Sequence, residues 1–191
     1  MINLSEKKRK NKKIKKELPI EEETTAVLEL LEAATAEMPE QRSIMFVGEV
    51  DEEKSADLIS ALLVLSQQKK EGQERADDIK IYISTYGGSA DEMFSIYDMM
   101  TITKAKCEVE TVGLGKIMSA GTLLLAAGTK GKRKIGKHCR VMIHAVAAGS
   151  AGELHDIENE VKTIKHIQEL YINALSKETN MTSRTIQKLL D

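Results

Sequence analysis

EVETVGLGKIMSAGTLLLAAG, residues 108–128, reads as a strand, a turn and a helix in direct succession. EVETVGL (108–114) has the composition of a strand. Gly115 to Ser119 are expected to turn the chain. Ala120 to Ala127 then form a short, wholly apolar helix, with Gly128 as its expected C-terminal cap. The same pattern stands one unit upstream. The strand KIYIS (80–84) runs into Tyr86-Gly87-Gly88 and a helix that begins near Ser89. Ser89 and Glu92 have capping-box spacing, and Met93, Ile96, Tyr97 and Met100 make an apolar stripe.

Further out the alternation continues. A helix is predicted from about Thr25 to Glu37, stopped by Pro39, and SIMFV (43–47) reads as a short buried strand punctuated by Gly48. From Ser55 the pattern is helical, with Leu58, Leu62 and Leu65 on one face, until Gly72. Downstream, RVMIH (140–144) predicts a buried strand that ends on His144. The glycine-containing loop AVAAGSAG leads from it to the longest helix, about 152–177, in which Leu154, Ile157, Val161, Ile164, Tyr171 and Leu175 recur at helical spacing. Thr182 or Ser183 caps a last helix. Strands alternating with helices imply an α/β domain with a mainly parallel sheet.

The bulk composition narrows the class. A chain of 191 residues with 41% hydrophobic content is one globular domain of ordinary size. Aromatics are only 3%, with no Trp, so the core is aliphatic and a base-stacking nucleic-acid platform is not expected. Charge is unevenly placed. Residues 7–16 (KKRKNKKIKK) carry eight basic side chains, and removing them from a net charge of −2 leaves −10 on the remainder. Residues 1–25 are therefore read as a basic, mobile N-terminal tail on an acidic body that spans 26–191. Two cysteines without metal-type spacing, no apolar stretch after the first basic residues, and no apolar run of membrane-spanning length point to a reducing, cytoplasmic setting without membrane attachment. No metal site is expected.

Ser119 and His144 are the residues with chemical potential. A serine between a glycine-marked turn and an apolar helix can be a packing residue or an N-cap. It can also be a nucleophile exposed at a strand-to-helix turn, although the surrounding sequence is not G-x-S-x-G. His144, at a strand end, can be a core histidine or the base that serves Ser119. His138, His155 and His166 lie in weaker contexts, a basic turn and a charged helix. Parallel α/β sheets place sites at the carboxyl ends of their strands, which would set Gly88, Ser119 and His144 along one edge. The N–H groups of Gly88 and Ala120 are then candidate donors to an oxyanion, while the plain alternative for Gly87-Gly88 is a tight turn that needs positive φ.

In this order the motifs resemble the ClpP family, the proteolytic subunits of the Clp protease. RSIMFVGEVDEE (42–53) is similar to the family's first strand and turn, and DIKIYISTYGGSADEMFSIYDMM (78–100) to its second strand, double glycine and helix. GLGKIMSAGTLLLAAG (113–128) resembles the segment around the catalytic serine, RVMIH the strand that ends on the catalytic histidine, and GELHDIENEVKTI (152–164) the protruding handle helix. The resemblance spans Arg42 to Asp191. It implies a ClpP/crotonase-like fold of repeated β-β-α units, with Ser119 as nucleophile, His144 as base, and the Gly88 and Ala120 N–H groups as the oxyanion hole. It further implies hydrolysis of unfolded polypeptides inside two stacked heptameric rings, a tetradecamer. An AAA+ unfoldase such as ClpX or ClpA would feed the chamber and consume the ATP, so the subunit itself carries no cofactor.

Five positions depart from the family pattern. Ile117 and Met118 stand where two alanines usually precede the serine, Ala120 where Met usually follows it, and Ala145-Val146 where Gln-Pro often follows the histidine. These changes are expected to alter the substrate groove. Counted from His144 without gaps, the family's triad aspartate falls near position 193, so Asp191 is out of register and the domain reads as truncated or as working with a dyad. A ring-forming scaffold subunit with little catalysis is the alternative reading. An acyl-CoA-binding enzyme of the crotonase-like fold is a third, disfavoured by the Ser119–His144 combination.

Overall fold

The computed structural model describes residues 41–190 together with Thr25, Val27 and Leu28. The chain divides into a unit of Met1–Gln41 and a unit of Arg42–Asp191. In the first, Thr25, Val27 and Leu28 are helical. The rest of the helix expected over 25–37, the basic run and Asp191 lie outside the described residues.

The second unit runs β1 (Ser43–Val47), α1 (Glu52–Leu65), β2 (Ile79–Thr85), α2 (Ala90–Lys104), β3 (Val109–Met118), α3 (Ala120–Ala126), β4 (Arg133–Ile135), β5 (Arg140–Met142), α4 (Leu154–Glu178) and α5 (Ser183–Leu190). The sheet order is β1-β2-β3-β4, and β5 also pairs with β3. Every pairing is parallel. Along β2, Ile79, Ile81, Ile83 and Thr85 are buried while the residues between them are half-buried, the period-two pattern of a sheet whose helix-covered face forms the core. Packing runs in sequence: α1 on α2, α2 on α3, α3 on α4, α4 on α5.

The helix starts follow their capping residues. Asp51 accepts from the Lys54 amide at the head of α1, and Ser89 Oγ accepts from the Glu92 amide (3.3 Å) at the head of α2, the expected capping contact. Thr182 Oγ1 accepts from the Thr185 amide at the head of α5.

β3 departs from the expectation in a way that builds the site. It does not turn at Gly115 but continues to Met118. Two residues of β2, from Ile83 to Thr85, are matched by four of β3, from Gly113 to Ile117, with Gly115 at φ 63 inside the bulge. An insertion of two preserves the alternation of faces, so Ile117 returns to the core on the same side as Val109 and Thr111. On its other edge β3 pairs first with β4 (111–113) and then with β5 (116–118). That second pairing keeps residues 116–118 extended. The Lys116 ammonium lies 4.7 Å from the centre of the Tyr86 ring, tying the bulge to the turn after β2.

Two further expectations are corrected. β5 is exposed rather than buried, because it flanks only the last three residues of β3 and, among the described residues, has no strand outside it. Gly128 does not adopt the left-handed conformation of a helix-ending glycine. It is glycine because a Cβ there would come within 2.3 Å of Thr111 Oγ1, the hydroxyl that donates to the Leu125 carbonyl.

One buried carboxylate ties the helices to the sheet. Glu178, 5% exposed at the end of α4, accepts from Tyr97 Oη and lies 3.1 Å from Arg133 Nη2 and 3.5 Å from Lys104 Nζ. Burial and the neighbouring carboxylate push the Tyr97 phenol up to about 12. Glu178→Gln leaves two mostly buried cations without their counter-charge and is expected to destabilise the domain by about 3 kcal/mol, the lower end of the range for a broken buried pair because both cations keep some solvent. A shift of the urea midpoint at neutral pH measures it, and an unchanged midpoint would refute the role.

Candidate active site

Ser119 is the single residue between β3 and α3, and it is held in an unusual backbone conformation. Its φ of 54 and ψ of −124 make it the one non-glycine residue with positive φ among those described. Such a conformation costs about 1–3 kcal/mol and persists only where surrounding contacts over-determine it. Here both flanking peptide groups are fixed. The Ser119 amide donates to the Met142 carbonyl of β5 at 2.8 Å. Its carbonyl oxygen accepts from the Thr122 amide at 2.9 Å and from Thr122 Oγ1 at 2.6 Å, and Tyr171 Oη lies 3.1 Å from it. The Ser119 hydroxyl makes no capping bond to α3, so the N-cap explanation for this serine fails. The Ala120 amide, first in α3, has no acceptor among the described residues.

The double glycine lies against this turn. Thr85 Oγ1 accepts from the Gly87 amide at 2.9 Å, and the Gly87 carbonyl accepts from the Val50 amide at 2.9 Å. Ser89 N–H donates to the Val50 carbonyl at 2.8 Å, completing a parallel bridge between Val50 and Gly88. In that bridge the Gly88 N–H faces away from Val50, and it has no acceptor among the described residues. Neither glycine tolerates a side chain. A Cβ on Gly87 would come within 2.6 Å of Ser119 Cβ, and one on Gly88 within 2.3 Å of the Val50 carbonyl oxygen. The glycines thus serve close approach as well as the turn, and one of the surfaces they approach is Ser119.

His144 reaches the same place by strand pairing. Met118 of β3 is in register with Met142 of β5, so the chain positions after the two strands, Ser119 and Ile143-His144, emerge together at one end of the sheet. The His144 side chain is exposed, and with Gly88, Ser119, Ala120, Met93 and Tyr171 it lines one cleft. His144 Nδ1 lies 2.6 Å from the Ala145 carbonyl oxygen. A carbonyl can only accept, so in the neutral imidazole this contact places the proton on Nδ1 and the lone pair on Nε2, the tautomer a general base requires. No hydrogen bond joins the ring to Ser119, and catalytic contacts of this kind tighten as substrate binds. His138, His155 and His166 are exposed outside the cleft, and His155 lies 3.1 Å from Asp156.

Of the departures from the family pattern, Ala120, Ala145 and Val146 line the cleft. Ile117 does not. It is fully buried, filling the space beside Gly113 and Gly121, neither of which has a side chain. Two residues of the site, Thr122 and Tyr171, were not legible as such. Tyr171 reads as one more member of the apolar stripe of α4. Burial raises its phenol, partly offset by its contact with Thr122.

This arrangement can be set beside known proteins. A model of the Clp protease family matches residues 29–191. The ATP-dependent Clp protease proteolytic subunit 2 of Corynebacterium jeikeium is 36% identical over 149 residues, which cover 78% of this chain and 68% of that protein. Proteolytic subunit 2 of Thermobifida fusca is 33% identical over 158 residues, covering 82% and 74%. Among solved structures, the ClpP protease catalytic domain from Plasmodium falciparum superposes with a TM-score of 0.65 at 33% identity, covering 79% of this chain and 74% of that one. The chain belongs to the Clp protease family, a family of serine peptidases. Its fold is that of the ClpP catalytic domain. None of the described helices is long and apolar enough to cross a membrane.

Proposed function

We propose that this chain is the proteolytic subunit of an ATP-dependent Clp protease, a serine endopeptidase that cleaves unfolded polypeptides. The observation that carries the reading is Ser119: a strained serine, its hydroxyl unused as a cap, in a cleft it shares with His144. In the proposed reaction His144 Nε2 takes the hydroxyl proton as Ser119 Oγ attacks the scissile carbonyl. Negative charge on the carbonyl oxygen is met by the Gly88 and Ala120 N–H groups. His144 returns the proton to the leaving amine, an acyl-enzyme forms on Ser119, and water activated by His144 releases it.

A peptidase with an open cleft is dangerous to folded proteins, and enclosure in stacked heptameric rings would remove the danger. Apolar side chains exposed on α4 support self-association, Leu154 at 74% exposure with Ile157 and Val161 following at helical spacing, as do Met45, Val47 and Ile135 on the sheet. In this reading an AAA+ unfoldase delivers substrate and uses the ATP, the subunit needs no cofactor, and the assembly works in the cytoplasm.

Treating the intact protein with a fluorophosphonate and mapping the adduct by peptide mass tests the assignment. A stoichiometric adduct on Ser119 is expected. No adduct on the folded protein would overturn the reading and leave a ring-forming scaffold.

A further inference from the structure

We propose that Tyr171 is a positioning residue for Ser119, acting with Thr122 as a pair of buried hydroxyls that hold the nucleophile's backbone carbonyl in place. The inference rests on the reading of Ser119 as the nucleophile. Three contacts close a triangle: Thr122 Oγ1 to the Ser119 carbonyl oxygen at 2.6 Å, Tyr171 Oη to the same oxygen at 3.1 Å, and Tyr171 Oη to Thr122 Oγ1 at 2.5 Å. Two hydroxyls supply two protons. With the Thr122 proton on the carbonyl, the shorter of the two contacts to it, the Tyr171 proton goes to Thr122 Oγ1. The result is a relay from Tyr171 through Thr122 to Ser119, each donor polarising the next. Tyr171 is 4% exposed and Thr122 5% exposed, so water does not replace either bond.

The Ser119 carbonyl matters because its peptide continues into the Ala120 N–H. Rotating that peptide changes ψ of Ser119 from −124 and turns the Ala120 donor away from the cleft. The Ser119 amide is already fixed by Met142, so the carbonyl side is where the unusual conformation could relax. Tyr171 comes from α4, an element distant in sequence, and it is the contact that fastens the serine turn to that helix. Burial, which raises its phenol, keeps it a donor throughout the neutral range.

The test is Tyr171→Phe, which keeps the ring and its packing. The expected result is a kcat on a short fluorogenic peptide lowered about tenfold, the scale of one hydrogen bond, with KM within about twofold and the rate of fluorophosphonate labelling of Ser119 lowered in parallel. Thr122→Val should produce a loss at least as large. Thr122→Ser, which restores the hydroxyl, should recover most of it. The double variant Tyr171→Phe with Thr122→Val should be no worse than Thr122→Val alone, since both cut one relay. A Tyr171→Phe protein with native kcat and labelling rate, or one altered in KM alone, would overturn the proposal and make Tyr171 a cleft wall. Thr122→Val with native kcat would do the same without relying on the stability of the tyrosine variant. Failure of the unaltered protein to label at Ser119 would instead remove the nucleophile assignment itself, so the two failures are distinct.

Discussion

Ser119→Ala is expected to lower kcat for a short peptide about 10⁶-fold, and His144→Ala to lower it nearly as far. The two act as one device. A serine hydroxyl without a base is a poor nucleophile, and an imidazole without the hydroxyl has no bond to make. The losses should therefore not add: the double variant should be no slower than either single one. What survives would come from the unpaired Gly88 and Ala120 N–H groups and from binding, a residue of catalysis of about 10³–10⁴ over water in serine proteases stripped of the nucleophile and base. The apolar side chains of the cleft wall, Met93, Val146, Ile167 and Tyr171 among them, are not altered by removing an oxygen from Ser119, so peptide affinity should stay close to native. Steady-state turnover together with equilibrium binding of a non-cleavable peptide separates the two effects. Normal turnover by the Ser119→Ala protein would remove Ser119 from the chemistry altogether.

That pairing was visible in the sequence only through its context. The strands and helices were legible because their periodicities are local. The Ile79-Ile81-Ile83 alternation and the Leu58-Leu62-Leu65 stripe need no partner to be recognised. β4 was not legible, being three residues of which two are charged, and it exists because the edge of β3 offers unpaired backbone groups. The extension of β3 through Gly115 was missed for the same reason. A glycine followed by Lys-Ile-Met reads as a turn until β5 is known to lie beside it. Exposure of His144 likewise depends on what fails to cover β5. Ser119 stands out in the sequence by its place between a glycine-marked turn and an apolar helix, yet its positive φ, held by Met142, Thr122 and Tyr171, is set by contacts reaching 52 residues along the chain. Side-chain identity announces which residues carry chemistry, whereas strain and unpaired N–H groups are tertiary facts.

Gly88→Ala is expected to lower kcat by at least about 100-fold, the scale of losing one oxyanion donor, and also to loosen the turn that carries it. The new Cβ would sit 2.3 Å from the Val50 carbonyl oxygen, 2.7 Å from its nitrogen and 2.9 Å from its carbonyl carbon. These are backbone atoms in a bridge held at both ends, by Val50 N–H to Gly87 and Ser89 N–H to Val50, so no rotamer change relieves the clash. The strand segment after β1 and the Gly87-Gly88 turn must move apart, at about 1–3 kcal/mol of overpacking. Because Gly87 is packed against Ser119 Cβ, that displacement passes directly to Ser119 and moves the Gly88 N–H with it. The loss should fall on kcat and on the rate of acylation, with KM changed little, since a donor aimed at the oxyanion binds the transition state more strongly than the substrate. Val50→Ala should not rescue it, because the clash is with the main chain. Single-turnover acylation by an activated ester, beside a thermal unfolding midpoint for the same variant, reads both effects. A Gly88→Ala protein that acylates at the native rate would show that the second oxyanion donor lies elsewhere.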